Sequence, residues 1–513
     1  MKQRLFTVLA VAAMQAVAFA SCKEDGKKPH VAVTGVTLNR PTAMLTAGKT
    51  LTLTATVLPR NATDKTVTWT SIPTSVATVE NGVVTAVAAG IATITVTTQD
   101  GAKTNLCTVT IVAGTADGGT QIVLGTRTFT YYEKSARGTP VISMWKAQMP
   151  TSDRLNAAGL PIPQGVKHHD VWKPSTREEG AYNHYSNLIF HNGRFHAMWA
   201  NHQHGEDAPS QRILYSTSGN GAEWTKPIEL FPAPGPVLLR GVDGIHLKPD
   251  RWAEVDGKLY AIVYVFYPTT YPIAREVAAD GTFGEPFLVR TFPSGAALPT
   301  FMPEQRYLPD IAAKINQWYT DHSVVSWWAR LATTAGEKVP SRTVDGAGLI
   351  ESSGYRSSQG RVVFYRDYSE GDIDPKDYKY SNRIYASFED GAGGWSAPYP
   401  TDIPDAHSRA HAVRLPDGRV LLIGNQVAYQ FDSGLTVLRD PLTLSVSPDG
   451  EFFTKVFALC SGAPTTRRIS GVTGRNTGFS YPCMIVHEDT VYVLHSIGKE
   501  DMAIASVPLS SIK

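Results

Sequence analysis

Seven of the 14 histidines fall in one span: His168, His169, His184, His191, His196, His202 and His204. Imidazole can donate or accept a proton and can ligate a metal, so the span is a candidate for acid–base or metal chemistry. Within it, Asn201-His-Gln-His-Gly-Glu-Asp leaves a strand and enters a loop carrying four such groups. His202 and His204 there read as the rim of a substrate site or as ligands of a divalent metal. His191 and His196 flank a hairpin turn and read as surface or packing residues. A second cluster, Asp405-Ala-His-Ser-Arg-Ala-His, sets His407 and His411 on either side of Arg409. A third feature is ESSGYRSSQGRVVFYRD, in which Glu351 opens the segment and Arg366 stands near its end. Its Ser-Gln-Gly turn and the alternating Val362 and Phe364 predict a hairpin strand about to end. Arg366 and Asp367 are then either a solvated strand terminus or part of a polar site completed from elsewhere in the chain.

The elements that would position these groups are predominantly β. The chain has 513 residues, which calls for more than one domain. Apolar residues make up 42% and charged residues 18%, so the chain is not largely disordered. With 43 glycines and 33 prolines, many short strands and turns are favoured over helices. A net charge of +2 provides no basic field for nucleic acid. Residues 31–113 alternate Thr with Val, Ile and Ala, as in Ala92-Thr-Ile-Thr-Val-Thr-Thr, and predict a small β-sandwich. Gly35-Val-Thr-Leu, Leu58-Pro-Arg-Asn-Ala-Thr, Val67-Thr-Trp-Thr-Ser and Gly82-Val-Val-Thr-Ala-Val-Ala-Ala-Gly resemble the bacterial Ig-like group 2 domains. Trp69 is the expected core tryptophan, and the segment holds no convergent polar cluster. Residues 114–119 read as a linker. From 120 to 513 one theme recurs: a tight turn and a buried strand, as in Asn192-Gly-Arg-Phe-His-Ala-Met-Trp, Asp256-Gly-Lys-Leu-Tyr-Ala-Ile-Val, Asp417-Gly-Arg-Val-Leu-Leu-Ile and Glu488-Asp-Thr-Val-Tyr-Val-Leu. Repeated hairpins of this kind predict a β-propeller of six blades, with five or seven as the other readings. One helix is expected, around Asp310–Tyr319.

Residues 1–21 carry Lys2 and Arg4 ahead of an apolar run, the pattern of an export signal too short to span a bilayer. The run ends Phe-Ala-Ser-Cys, which resembles a lipobox, with Cys22 as the lipidated residue. Lys23-Glu-Asp resembles the export signal of surface lipoproteins in Bacteroidota. The resemblance implies a tether over 22–30 and a protein anchored by lipid to the outer membrane, facing the exterior. Of the remaining cysteines, Cys460 and Cys483 could pair, and no Cys-x-x-Cys suggests a zinc site.

Three segments, Ser216-Thr-Ser-Gly-Asn-Gly-Ala-Glu-Trp, Ser387-Phe-Glu-Asp-Gly-Ala-Gly-Gly-Trp and Ser445-Val-Ser-Pro-Asp-Gly-Glu-Phe-Phe, resemble the Asp-box (BNR) turns of sialidase-like propellers. The order of polar residues is also similar to that superfamily: Asp207, then Glu351 and Arg366 one hairpin apart, then Arg439, then Tyr481 in Gly-Phe-Ser-Tyr-Pro. The resemblance implies a tyrosine nucleophile, Tyr481, deprotonated by Glu351. It implies Asp207 as acid and base toward the leaving group, and Arg366 and Arg439 as bidentate clamps on a substrate carboxylate. Arg212 and Arg409 join the expected substrate-binding set. Where the family carries its first arginine, this chain has His184 in Asn183-His-Tyr-Ser-Asn-Leu, so the arginine set is incomplete. Three functions remain in view: an exo-acting glycoside hydrolase on a terminal acidic sugar, a polysaccharide lyase using His, Tyr and Arg on uronates, and a non-catalytic glycan binder. A glycan is the expected partner and no cofactor is implied, a divalent metal at the histidine loop being the one left open.

Overall fold

The computed structural model describes residues 30–46, 48–88, 90–112, 119–135, 139–151, 153–235, 244–266, 269–294, 296–321, 343–344, 347–367, 383–391, 394–427, 438–472 and 478–513. The signal segment, Cys22, and all of the linker except Gly119 lie outside these residues, as does most of the tether.

The first domain builds three sheets from Gly35 to Val112. Gly35–Leu38 pairs with Ala55–Leu58. Thr42–Thr46, Thr104–Val112, Gly90–Thr98 and Val67–Ile72 make a four-stranded sheet, and Thr50–Thr52, Val83–Ala86 and Ala77–Glu80 a three-stranded one. Along 92–98 every second residue is buried, because one face packs on the core and the other meets water. That core holds Leu45, Leu53, Val84, Ile94, Cys107 and Val109, with Trp69 half-buried against it.

The larger domain is a propeller. Its described residues form five blades of four antiparallel strands each, against the expectation of six. Between blades 2 and 3 the chain forms the helix Pro309–Asp321 and then enters 322–342, outside the described residues. Blade 1 runs Tyr182–His191, Arg194–His202, Arg212–Ser218 and Ile228–Phe231. Blade 2 runs His246–Val255, Lys258–Phe266, Tyr271–Val277 and Phe287–Leu288. Blade 3 runs Ala347–Ser357, Gly360–Asp367, Arg383–Phe388 and Tyr399–Pro404, and its outer strand continues into the ribbon 120–142 through a parallel pair, Ile142 with Thr401. Blade 4 runs His411–Arg414, Val420–Gly424, Leu442–Ser447 and Lys455–Cys460. Blade 5 runs Phe479–His487, Thr490–Ile497 and Asp501–Pro508, completed by the early strand Lys167–Trp172. Pairing the first strand with the last ties the ring shut without relying on either terminus alone.

Second strands of blades 2 and 4 read as unbroken apolar runs where strands of the first domain alternate. Leu259–Val265 is buried at every position, since a blade is covered on both faces by its neighbours. The predicted turns Asn192-Gly193 and Asp256-Gly257 join first to second strands with left-handed backbone at both residues. Two of the three Asp-box-like turns share one hydrogen-bond pattern. Asn220 Oδ1 accepts from Ala222 and Glu223 N–H, Asp449 Oδ1 from Glu451 and Phe452 N–H, and Ser218 and Ser447 Oγ accept from the following glycine. The third differs, Asp390 Oδ1 accepting from Gly394 N–H. Cys460 and Cys483 are buried and unpaired: Cys460 lies against His168 and His495, and Cys483 against Leu188.

Candidate active site

The innermost strands of four blades break register at equivalent places. Each carries one extra residue: at Tyr185–Ser186 in blade 1, Asp250 in blade 2, Glu351–Ser352 in blade 3 and Tyr481–Pro482 in blade 5. A bulge re-aims the side chain it contains. Here it turns residues that a regular strand would point into a neighbouring blade toward the axis. Tyr185, Glu351 and Tyr481 sit there with φ of 59°, 53° and 51°, joined by Asp207 at 56° and His407 at 55° in connecting loops. A non-glycine residue in this region costs about 1–3 kcal/mol, and clustered strain of this kind marks functional sites.

The bulges bring three expected residues into direct contact. Tyr481 donates its hydroxyl hydrogen to Glu351 Oε1. Arg366 Nη1 donates to Glu351 Oε2 at 2.8 Å and to the Tyr481 oxygen at 2.7 Å. All three are buried. Burial alone would raise the Glu351 carboxyl, but Arg366 and the Tyr481 hydroxyl bring it below the ordinary carboxylate range. Burial raises the Tyr481 phenol well above its usual value despite Arg366, so it holds its proton beside a ready base.

The other arginines frame this pair. Arg439, just before the third strand of blade 4, donates to the His407 carbonyl at 2.9 Å and lies over the Tyr481 ring at 5.4 Å. Its buried Nε has no hydrogen-bond partner among the described residues. Arg409 is fully buried beneath the tyrosine, 5.0 Å from the ring centre, and donates to the carbonyls of Ser186 and Tyr481 at 3.0 and 3.1 Å. Burial brings it down to about 10.

His184 packs its ring 4.1 Å from that of Tyr481 and bonds Ser496 Oγ through Nδ1 at 3.1 Å. Burial, then the fields of Lys499, Arg439, Arg409 and Arg366, hold it well below the ordinary imidazole value. It is a neutral wall of the site. Asp207 stands on the opposite side, exposed, with Lys248 Nζ at 2.7 Å and the Tyr185 hydroxyl at 3.4 Å. The Tyr185 ring meets that of Tyr481 edge-on at 5.0 Å, so it spans from Asp207 to the buried pair.

Other expected residues are placed elsewhere. Arg212 is turned outward, bound to Asn201 Oδ1 at 2.8 Å and to Glu229 Oε1 at 2.5 Å, because its position on the third strand of blade 1 lies beyond the innermost strand. His202 uses Nδ1 to accept the N–H groups of His204 and Gly205, shaping the loop that carries Asp207. His411 accepts the Met484 N–H further down the axis. Among the described residues no group of three or more His, Cys, Asp or Glu has the geometry to hold a metal.

Four contributors went unread in the sequence. Glu206 accepts from Lys499 Nζ and, at 2.9 Å, from the Tyr185 hydroxyl. Burial would raise its carboxyl, and Lys499 instead brings it to about 2. Lys499, in the turn Ile497–Asp501, is lowered to about 8 by burial, with Glu206 pulling the other way. Lys248 and Tyr185 complete the array. Only the Gly-Glu-Asp and Gly-Lys-Glu-Asp runs hinted at charges gathered in turns. Asp405 is buried near Arg366, and burial pushes its carboxyl up to about 7 against that arginine.

A BNR repeat-like domain model matches residues 301–493, a group 2 bacterial Ig-like model residues 32–109, and an N-terminal β-propeller model residues 155–242. Among solved structures, a sialidase superposes with a TM-score of 0.53 at 19% identity, covering 72% of this chain and 35% of its own. The fold is a sialidase-like β-propeller behind an Ig-like domain. The Ig-like virion protein of Serratia phage KSP90 is 51% identical over 83 residues, 16% of this chain and 32% of the phage protein. An uncharacterised protein of Clostridium acetobutylicum is 46% identical over 83 residues, 16% of this chain and 9% of its own. The chain therefore spans about a third or less of the length of each of these relatives.

Proposed function

We propose that the propeller is an exo-acting glycoside hydrolase that removes a terminal acidic sugar through a tyrosine nucleophile. One observation carries the reading: the Tyr481 hydroxyl donates to a buried, ionised Glu351 while Arg366 touches both. A phenol is a weak nucleophile until a base removes its proton, and sialidases are the glycosidases that use a tyrosine in this way. Tyr481 oxygen attacks the anomeric carbon as its proton passes to Glu351. The bond to the leaving oxygen breaks, and Asp207 supplies that oxygen's proton. Asp207 then takes a proton from water, whose oxygen displaces Tyr481, and Glu351 returns the tyrosine's proton.

The charge around the site favours an acidic substrate. Arg366, Arg409, Arg439, Lys248 and Lys499 face Glu206, Asp207, Glu351 and Asp405, and burial raises the Asp405 carboxyl toward its neutral form. The unpaired Nε of Arg439 supplies a donor for a substrate carboxylate. Because His184 is neutral, the anion is held by Arg366 and Arg439, not by three arginines.

The test is a panel of glycans ending in acidic sugars, with products followed by chromatography and ultraviolet absorbance. Release of the free sugar acid, lost in Tyr481→Phe, is the expected result. An unsaturated product would replace the hydrolase with a lyase, and no product with a binding protein. We also place the protein at the outer membrane, anchored through Cys22. Cys22→Ala should release it from the membrane fraction, and a variant that stays bound overturns the anchor.

A further inference from the structure

The five innermost strands all run away from the candidate site, and a few residues further on they line a second cavity. Glu351 precedes Gly354 and Tyr355, Tyr481 precedes Cys483 and Met484, and His184 precedes Asn187 and Leu188. At about 3.3 Å per residue, three residues separate the two places by about 10 Å. The cavity measures about 520 Å³ and opens at the end where the Asp-box-like turns lie. This volume suits a sugar unit and is large for a bare inorganic ion.

Its chemistry is one-sided. Arg251, Arg356 and Arg414 line it, and no lining residue is a carboxylate. Arg251 is buried with the Asp250 carboxylate beside it offsetting part of its charge, and with Arg409 it contributes to holding His411 well below its usual value, after burial itself. Arg356 is mostly exposed and reaches Glu389 at 3.9 Å, so part of its charge is already matched. Arg409 lies between Arg251 and the Tyr481 cluster, so guanidinium groups run down the axis from one cavity to the other. Low-dielectric walls concentrate such a field at the mouth. Trp252 and Trp318 supply aromatic walls. The Trp252 indole N–H is buried without a hydrogen-bond partner among the described residues. Buried indole donors normally find one, so an acceptor is missing there.

We propose that this far cavity binds a carboxylate-bearing sugar unit independently of the catalytic cluster, with the arginines on the carboxylate and Trp252 donating to a ring oxygen or hydroxyl. It would let the propeller hold an acidic glycan at one end of its axis while another chain end is processed at the opposite end.

The test is calorimetric titration of full-length protein with sodium glucuronate, with a glucuronate-terminated oligosaccharide, and with glucose as the neutral control. An Arg366→Ala, Arg439→Ala variant removes the catalytic cluster's clamp and should retain one glucuronate site. Adding Arg356→Ala and Arg414→Ala, both exposed and so no threat to folding, should weaken that site about tenfold or more. Arg251→Met should weaken it further wherever circular dichroism shows the fold intact. Tighter binding of the oligosaccharide than of free glucuronate identifies a polymer-bound unit as the ligand, and equal binding a free sugar acid. Unchanged binding in the Arg356, Arg414 variant overturns the proposal, as does glucose binding as tightly as glucuronate. The proposal also fails if no site survives loss of Arg366 and Arg439. None of these outcomes depends on whether the propeller hydrolyses anything.

Discussion

The Ig-like domain and the propeller are both built of antiparallel strands, yet they treat polar groups in opposite ways. Among the described residues of the Ig-like domain the buried polar ones are Ser71 and Thr98, each tied to a nearby backbone carbonyl at 2.6 and 2.7 Å. In the propeller, Glu351, Arg366, Arg409, Arg439, Asp405 and Lys499 are all buried. Taking ions out of water costs several kcal/mol each unless partners compensate. The described part of the Ig-like domain avoids that cost, and the propeller incurs it most densely around Tyr481, where Glu351 and Lys499 also sit on left-handed backbone. Burial of charge, more than strand content, separates the two domains.

The sharpest way to break this comparison is Glu351→Gln, which keeps the shape and removes the base. Turnover should fall by about 10²–10⁴-fold, with the Ig-like melting transition unmoved. Retained turnover in a folded variant would remove Glu351 from the mechanism. Arg366→Lys keeps a charge but loses the planar fork, so KM for an acidic substrate should rise about tenfold, with a smaller change in kcat. Steady-state kinetics separates the two effects.

Gly82→Ala probes the other region. Gly82 has φ +81° and an added Cβ would sit 2.5 Å from the Leu53 carbonyl oxygen. The Ig-like transition should lose about 1–3 kcal/mol in denaturant melts, while turnover is unchanged. A matching loss of activity would mean that the two domains depend on each other.

The two domains should also separate by pH. Burial lowers His196, His246 and His495 to about 4, and His184 and His411 well below their ordinary value of 6.5. The unfolded chain takes up these protons below about pH 6.5 and the folded chain does not. Propeller stability should therefore fall as the pH drops from 6.5 toward 4. Asp405, raised to about 7, acts in the opposite direction, as do Asp402, Asp440, Glu451 and Asp501, which burial also raises. His168, His202, Glu206 and Glu351, however, are lowered and add to the five histidines. Among the described residues the Ig-like domain buries no histidine, so that transition should move less over the same range. Calorimetric scans at several pH values would show both. Smallest of all should be deletion of residues 31–113, with turnover on small substrates changing less than about tenfold, or 1.4 kcal/mol.

Much of the architecture was legible because it is a local matter. Alternation in Ala92-Thr-Ile-Thr-Val-Thr and unbroken burial in Leu-Tyr-Ala-Ile-Val-Tyr-Val reflect one covered face and two covered faces respectively. The Asn192-Gly193 and Asp256-Gly257 turns announce themselves through residues that accept positive φ. The helix expected around 310–319 forms as Pro309–Asp321. Glu351, Arg366, Arg439 and Tyr481 could be named in advance from their order and type. Arg212 could not be told from a site arginine, because an Arg-Ile-Leu-Tyr strand reads the same whether its arginine faces the axis or Glu229.

By itself, then, the sequence determined strand periodicity, turn positions, the split into two domains and the order in which chemically capable residues occur. The tertiary structure decided which of them meet. Register slips of one residue in four innermost strands turn Tyr185, Glu351 and Tyr481 onto the axis, and nothing in a strand's own composition requires a bulge at that point. It decided as well that Lys499 and Glu206, almost three hundred residues apart, form one part-buried pair, and that His184 is neutral. Hydrophobic periodicity is set within a few residues of chain. The protonation and partnership of a charge depend on every dipole and ion within several ångströms, whatever part of the chain supplies them.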